Sequence, residues 1–368
     1  MRDIPEIDPD IHRARTLPGA FYGDADWFGR QRELLARSWH MAPLDRGAPA
    51  VGHAVPWALL PGALDEPLVW TRDRDGIRRC LSNVCTHRGR VVVDRAGPSD
   101  VLACGYHGRC FGLDGALRAA PGFENAPDFP AAADDLPAVA TGDWAGFAFA
   151  ALDPAVTFAE WIAPLLAWAP ELALPDQPSW LHDYEFDAHW ALYVDNYLEG
   201  FHIPFVHPAL QRTLTNDYDI HLLDGGASVQ VAFSRPGEPA LELGAAHPGD
   251  YGDRPVAALY VFLFPGTLMN FYPWGLSINR VEPLAPRRTR VRYVQYVARP
   301  ELRQRGAGGD LETVEAEDQA VVLATQHGVR ARLYDRGRYA PVAERAVHHF
   351  HRAVAHALVA GRVLERGR

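Results

Sequence analysis

Two short stretches of this 368-residue chain carry the side chains of a metal centre: Cys85-Thr86-His87-Arg88-Gly89 and Cys104-Gly105-Tyr106-His107-Gly108. Each offers one thiolate and one imidazole, and sixteen residues separate His87 from Cys104. Two such hooks on a long arm can close around one compact centre. Four-coordinate zinc takes Cys2His2, but its usual spacing pairs Cys with Cys and His with His. A two-iron, two-sulfur cluster with two Cys on one iron and two His on the other asks for one ligand of each kind from each hook. Mixed hooks suit that demand better than they suit zinc.

A second constellation runs from Asp195 and Asn196 through Glu199 and His202 to His207. On a helix Glu199 and His202 are i and i+3 and project from one face. Pro204 is expected to end that helix, and the turn brings His207 back toward His202. Two imidazoles and a carboxylate make the facial triad of non-haem Fe(II) oxygenases, with positions left open for O2. A pair of hydrogen-bonded core histidines would show the same spacing, so the third ligand matters. In a helix expected from Asp310 to His327, the apolar stripe Leu311, Val314, Val321, Val322 and Thr325 includes Asp318. A carboxylate facing a core is costly unless it is paired or bound to metal. Glu312, Glu315 and Glu317 fall nearer the solvated side on that reading, which leaves Asp318 as the third ligand.

The elements that must position these groups change character along the chain. One helix is expected from about Asp24 to Trp39. Residues 40–152 read as short apolar runs cut by Gly, Pro and Asp, an all-β unit with the hooks on its loops. After a Pro-punctuated helical stretch, strand-like runs follow at 180–186, 227–233, 256–264, 267–272, 276–283 and 288–298. The C-terminus is helical again at 310–327 and 341–365. The fold class is therefore α+β, with one domain at 40–152 and a second formed by 1–39 and 153–368. The Gly- and Pro-rich stretch 234–255 is long for a loop and is expected to act as a lid.

Hydrophobic residues make up 48% and charged residues 22% of the chain, an ordinary globular composition. A net charge of -10 argues against nucleic acid or an anionic membrane as the main partner. All 36 basic residues are arginine. No apolar run is long enough to span a bilayer and no secretory h-region opens the chain, so a cytoplasmic location is expected. Four cysteines are too few for a disulfide scaffold of this length. Cys80 and Cys110 are expected to be small buried apolar residues. The four histidines His348, His349, His351 and His356 spread around one helix, which suggests surface or interface positions rather than a third metal site.

The hook pattern C-x-H-x16-C-x2-H resembles the Rieske family. High-potential respiratory Rieske proteins carry an extra, disulfide-forming cysteine in each hook; here Arg90 and Tyr106 hold those places, as in the oxygenase branch. With His202, His207 and Asp318, the whole chain resembles the catalytic alpha subunit of a Rieske non-haem iron oxygenase. The resemblance implies an N-terminal all-β Rieske [2Fe-2S] domain held by Cys85, His87, Cys104 and His107, and a helix-grip catalytic domain binding mononuclear Fe(II). It also implies O2 as cosubstrate, NAD(P)H acting through a separate flavin reductase or ferredoxin, and a homotrimer or a multiple of it. Electrons would cross a subunit boundary from His107 through Glu199 to His202, with Asp195 as the rival bridging carboxylate.

Glu199 and the short Asn196-to-His202 spacing are similar to members that oxidise quaternary ammonium or N-methyl compounds. The segment Asn270–Gly275 is similar to part of plant choline monooxygenase. Tyr260, Phe262, Phe264, Tyr272 and Trp274 could form an aromatic cage for a cation. Aromatic ring dioxygenation and a non-catalytic Rieske electron carrier are the competing functions. Arg109 replaces the family's usual Trp, at a position expected to meet the electron donor or another subunit.

Overall fold

Short apolar runs between turns make the strands of residues 39–154. In the computed structural model, which describes residues 6–244 and 247–360, this segment, Trp39–Pro154, is one of two compact units. Its strands are β1 (His40–Met41), β2 (His53–Leu59), β3 (Glu66–Arg72), β4 (Arg78–Ser82), β5 (Gly97–Pro98), β6 (Leu102–Ala103), β7 (Cys110–Phe111), β8 (Leu117–Ala119), β9 (Ala138–Trp144) and β10 (Phe147–Ala151). Seven form one sheet in the order β1-β10-β9-β4-β3-β2-β5, and β6-β7-β8 form a small second sheet. Val69 and Leu81 of the large sheet share a buried cluster with Leu102 and Phe111 of the small one. Cys85 and Cys104 belong to the same cluster, so both hooks are anchored in packed side chains rather than on free loops.

The second unit comprises Met1–Ser38 and Ala155–Arg368. Its helices are α1 (Ala25–Ala36), α2 (Phe158–Trp168), α3 (Trp190–Tyr197), α4 (Ile203–Val206), α5 (Pro208–Gln211), α6 (Leu311–Gly328) and α7 (Arg345–Ala360). Its strands are β11 (Trp180–Phe186), β12 (Leu214–Leu222), β13 (Ser228–Ser234), β14 (Val256–Leu263), β15 (Thr267–Tyr272), β16 (Gly275–Ala285) and β17 (Arg288–Val297). They form one antiparallel sheet in the order β11-β17-β16-β15-β14-β13-β12. β13 and β15 are buried along their whole length, because helices cover the sheet. Phe350 of α7 packs its ring against Phe262 at 5.6 Å and Phe264 at 6.1 Å. The sheet and its helices give the α+β, helix-grip architecture expected of a Rieske oxygenase.

Several local expectations change. Helix α1 stops at Ala36, before Trp39. Strand β12 was not expected; it is polar because it is an edge strand, paired only with β13 in the sheet and partly exposed along its length. Helix α3 ends at Tyr197, so Glu199 and His202 do not share a helix. Pro204 does not end a helix but sits in the first turn of α4, where its missing N–H has no partner to lose. Helix α7 begins at Arg345 rather than 341, and its expected end at Glu365 lies outside the described residues.

Candidate functional site

The two hooks are one loop built twice. Cys85 N–H donates to Arg90 O at 2.8 Å and Gly89 N–H to Cys85 O at 3.0 Å; Cys104 N–H donates to Arg109 O at 2.8 Å and Gly108 N–H to Cys104 O at 3.1 Å. Gly89 and Gly108 close them at φ +74° and +77°, a backbone region that a side chain would strain. The His87 and His107 rings meet at 4.6 Å between centroids, and Tyr106 stacks on His107 at 3.7 Å. His87 Nδ1 is buried with no hydrogen-bond partner. An orphaned buried nitrogen is unfavourable in a protein interior, but it is what a metal-ligating imidazole presents. Cys85 and Cys104 titrate as a pair: backbone N–H groups and Cys85 outweigh burial and hold Cys104 low, while burial and Cys104 raise Cys85, so one thiolate forms ahead of the other. Cys85, His87, Cys104 and His107 thus fit a [2Fe-2S] cluster.

Arg109 is packed inside this unit and is not a surface contact. It is 3% exposed, with its guanidinium over Phe123 at 4.4 Å and Phe129 at 5.2 Å. It donates to Thr86 Oγ1 at 3.1 Å and pairs with Asp134 at 3.3 Å. Cys80 is buried, its thiol pushed up to about 12 by burial, whereas Cys110 is partly exposed and not the buried residue expected.

In the second unit, His202, His207 and Asp318 bring one ligand atom each within 4.8 Å of one another. Glu199 reaches His202 across the turn after α3: Oε2 accepts the His202 backbone N–H at 3.0 Å and Oε1 meets Nδ1 at 2.6 Å. Glu317 meets His207 Nδ1 at 2.7 Å. Carboxylates only accept, so both Nδ1 atoms carry a proton, and the two Nε2 atoms are the positions left to a metal. Those Nε2 atoms lie 3.2 Å apart, and His207 Nε2 is 2.9 Å from Asp318 Oδ1. With both Nδ1 atoms engaged, the two Nε2 atoms and the Asp318 oxygen share one positive charge, a proton on His202 without metal or a cation in its place, and two imidazoles with one carboxylate are a donor set that fits Fe(II). Asn196 Nδ2 donates to the same Asp318 oxygen at 2.6 Å.

The electrostatics agree. Burial opposes charge on His202, but Asp318 and Glu199 outweigh it and raise the imidazole to about 9. Burial would likewise raise Asp318, but both histidines hold it down to about 2.

Asp195 is engaged elsewhere. It accepts from Tyr22 Oη at 2.9 Å and lies 2.8 Å from His351 Nε2. His351 Nδ1 lies 2.7 Å from Tyr339 Oη. His348 is buried too, and its Nε2 bonds the Asp8 carbonyl at 2.8 Å. The expectation of surface positions therefore fails for His348 and His351. Partnered ring nitrogens let them sit in the interior, and those partners are separate rather than shared.

A cavity of about 130 Å³ adjoins the His202, His207 and Asp318 side chains. At roughly 10–15 Å³ for each water it could hold, it suits a small molecule. Tyr193, Tyr197, Tyr218, Tyr260, Tyr272 and Tyr293 line it with Asn270 and Asn279. Of the five cage aromatics expected, Tyr260 and Tyr272 are present. Phe262 and Phe264 pack on Phe350 instead, and Trp274 stacks on Tyr272 with Arg303 over its ring. No described residue of 235–255 lines the cavity, so the lid expectation is not met; His247 packs on Trp168. Glu315, expected near solvent, is buried and lines the cavity. Burial and the charge of Asp318 raise it to about 7, against hydrogen bonds from Tyr193 and Gln319. Sequence reasoning missed Glu315, Glu317 and the tyrosines of α3.

Residues 61–130 match the Rieske [2Fe-2S] domain, and residues 179–360 match the catalytic domain of the ring hydroxylating alpha subunit. The chain is 28% identical to the carnitine monooxygenase oxygenase subunit of Escherichia coli K12, over 93% of either chain. It is 27% identical to the chloroplastic choline monooxygenase of Arabidopsis thaliana, covering 96% of this chain and 86% of that one. Its fold resembles a quaternary ammonium Rieske monooxygenase solved with L-carnitine, with a TM-score of 0.73 at 23% identity over 96% and 99% of the two chains. It also resembles naphthalene 1,2-dioxygenase of Rhodococcus sp., with a TM-score of 0.74 at 18% identity over 94% of each.

Proposed function

We propose, for a chain that belongs to the Rieske non-haem iron oxygenases, that this terminal oxygenase hydroxylates a small N-methyl or quaternary ammonium compound. Convergence of His202, His207 and Asp318 beside a small, tyrosine-lined cavity carries the reading. Tyrosine rings present negative faces that attract an ammonium group which cannot be hydrogen-bonded. The relatives named for carnitine and choline oxidation point the same way.

When bound, the cluster supplies electrons singly and the mononuclear iron uses them with O2 to oxidise a substrate C–H bond. This chain's residues set the conditions. His202 and His207 are held in the Nδ1–H form by Glu199 and Glu317, which also fixes their ring orientation. Asn196 holds the Asp318 oxygen, and the surrounding rings restrict water.

Glu199 is the bridging carboxylate in this reading, joining His202 to His107 of another subunit in a homotrimer. Its exchange for Gln should leave both metals in place and greatly slow product formation; near-normal turnover would remove the bridging role. Electrons would come from NAD(P)H through a flavin reductase or ferredoxin, which fits a cytoplasmic enzyme. Among the described residues no helix is long and apolar enough to cross a membrane.

The test is substrate-dependent O2 uptake with a surrogate reductase across betaines, N-methyl compounds and aromatic acids. Consumption confined to the cationic N-methyl compounds is the expected result, and consumption confined to aromatic acids would assign ring dioxygenation instead. Iron analysis should give about three irons per chain, two in the cluster and one in the triad.

A further inference from the structure

Glu315 is a buried carboxylate outside the group formed by His202, His207 and Asp318. It is 4% exposed and sits on α6 one turn before Asp318. Its Oε2 accepts from Tyr193 Oη at 2.8 Å and its Oε1 from Gln319 Nε2 at 3.2 Å. Among the described residues no Arg or His pairs with it. Tyr193 is itself held by Asn279, whose amide donates to the phenol oxygen at 2.7 Å. Asn279 Oδ1 in turn accepts from Asn270. The carboxylate is thus fixed at the end of a buried polar chain and faces the cavity.

A carboxylate removed from water without a counter-charge is unfavourable by several kcal/mol and tends to take up a proton. A fixed positive charge entering the cavity would relieve that state, and a neutral molecule of the same shape would not. We propose that Glu315 is the charge-selecting residue of the cavity, placed to pair with the positive nitrogen of the substrate. This deepens the function proposed above and rests on it. The tyrosine rings alone would favour a cation modestly; an ionised carboxylate in a low-dielectric site makes the preference strong.

The test compares wild type, Glu315→Gln and Glu315→Asp holoenzymes. The probes are a trimethylammonium alcohol and its neutral tert-butyl isostere, in which carbon replaces the charged nitrogen. Binding is measured calorimetrically without reductant, and KM and kcat by O2 uptake. Wild type should prefer the cation at least tenfold, about 1.4 kcal/mol. Glu315→Gln should lose that preference, with the loss in KM rather than kcat, and Glu315→Asp should keep most of it. Unchanged iron content and circular dichroism establish that the variants fold. Cation preference that survives in Glu315→Gln overturns the role of Glu315 alone. A wild-type enzyme without cation preference overturns the substrate reading and this role together.

Discussion

The proton on His202 is the clearest electrostatic consequence of the triad. Its folded value of about 9 lies above the ordinary 6.5, so in protein stripped of metal its stabilisation is complete below pH 6.5 and disappears as pH rises through 9. A shift of that size corresponds to about 3 kcal/mol. A metal must displace this proton, so affinity for Fe(II) should rise about tenfold per pH unit across pH 6.5–9, as at any pH below 9, and level off above. Anaerobic Fe(II) titrations of chelator-treated protein across that range check it, and a flat profile would show that His202 is not protonated there. Asn196 acts on the same site from outside the triad. Asn196→Leu removes the hydrogen bond to Asp318 and should weaken iron binding about 10–100-fold, read as iron retained on dialysis against a graded chelator. Asp318 was legible in the sequence because its polarity conflicts with an apolar stripe. Glu315 was not: the buried face of α6 runs Leu311, Glu315, Val322 and Gln326. That face meets a polar cavity, so hydrophobic periodicity placed it wrongly.

The helices around the triad are joined by buried amides. Gln31 of α1 accepts from Trp190 Nε1 at 2.7 Å and lies 3.1 Å from His189 Nε2, at the start of α3. Gln326 of α6 accepts the His189 backbone N–H at 2.7 Å and donates to Tyr22 O at 2.9 Å. Burial drives His189 down to about 3, so the ring is neutral and only one of its nitrogens carries a proton. Its Nδ1 accepts the Ala191 N–H, which leaves Nε2–H to donate to Gln31. Gln31→Leu orphans two buried donors and should destabilise the second unit by roughly 2–4 kcal/mol, measured as a fall in the denaturation midpoint with the [2Fe-2S] visible spectrum unchanged. Strands β11 and β15 were legible to the residue because each is an aromatic-rich run bounded by Pro, Gly or Asp, which leaves little choice. β12 was not, since Thr215-Asn216-Asp217 reads as a turn when taken alone. Only its ladder with β13, which slips register between Leu214 and Tyr218, makes it a strand. The Glu199–His202 contact was legible although the helix invoked for it was not: two residues three apart meet across a tight turn as well as on a helix.

At the scale of the whole molecule, the two sets of proposed ligands belong to separate compact units, which makes it possible to disable one without the other. If electrons pass from the cluster of one subunit to the triad of the next, the two defects complement each other. A subunit carrying His107→Ala lacks a working cluster but keeps its triad; one carrying His202→Ala keeps the cluster but lacks the triad. Each variant alone should be inactive. Co-assembled at equal amounts into a closed homotrimeric ring, a productive boundary needs a His202→Ala subunit as donor and a His107→Ala subunit as acceptor. Random mixing supplies that order at about one boundary in four, so activity should recover to roughly a quarter of wild type. Transfer confined within one subunit recovers nothing, because every chain then carries one broken centre. Mixing the separately folded proteins without subunit exchange gives the blank, and recovery in that blank would point to a diffusible carrier rather than a shared boundary.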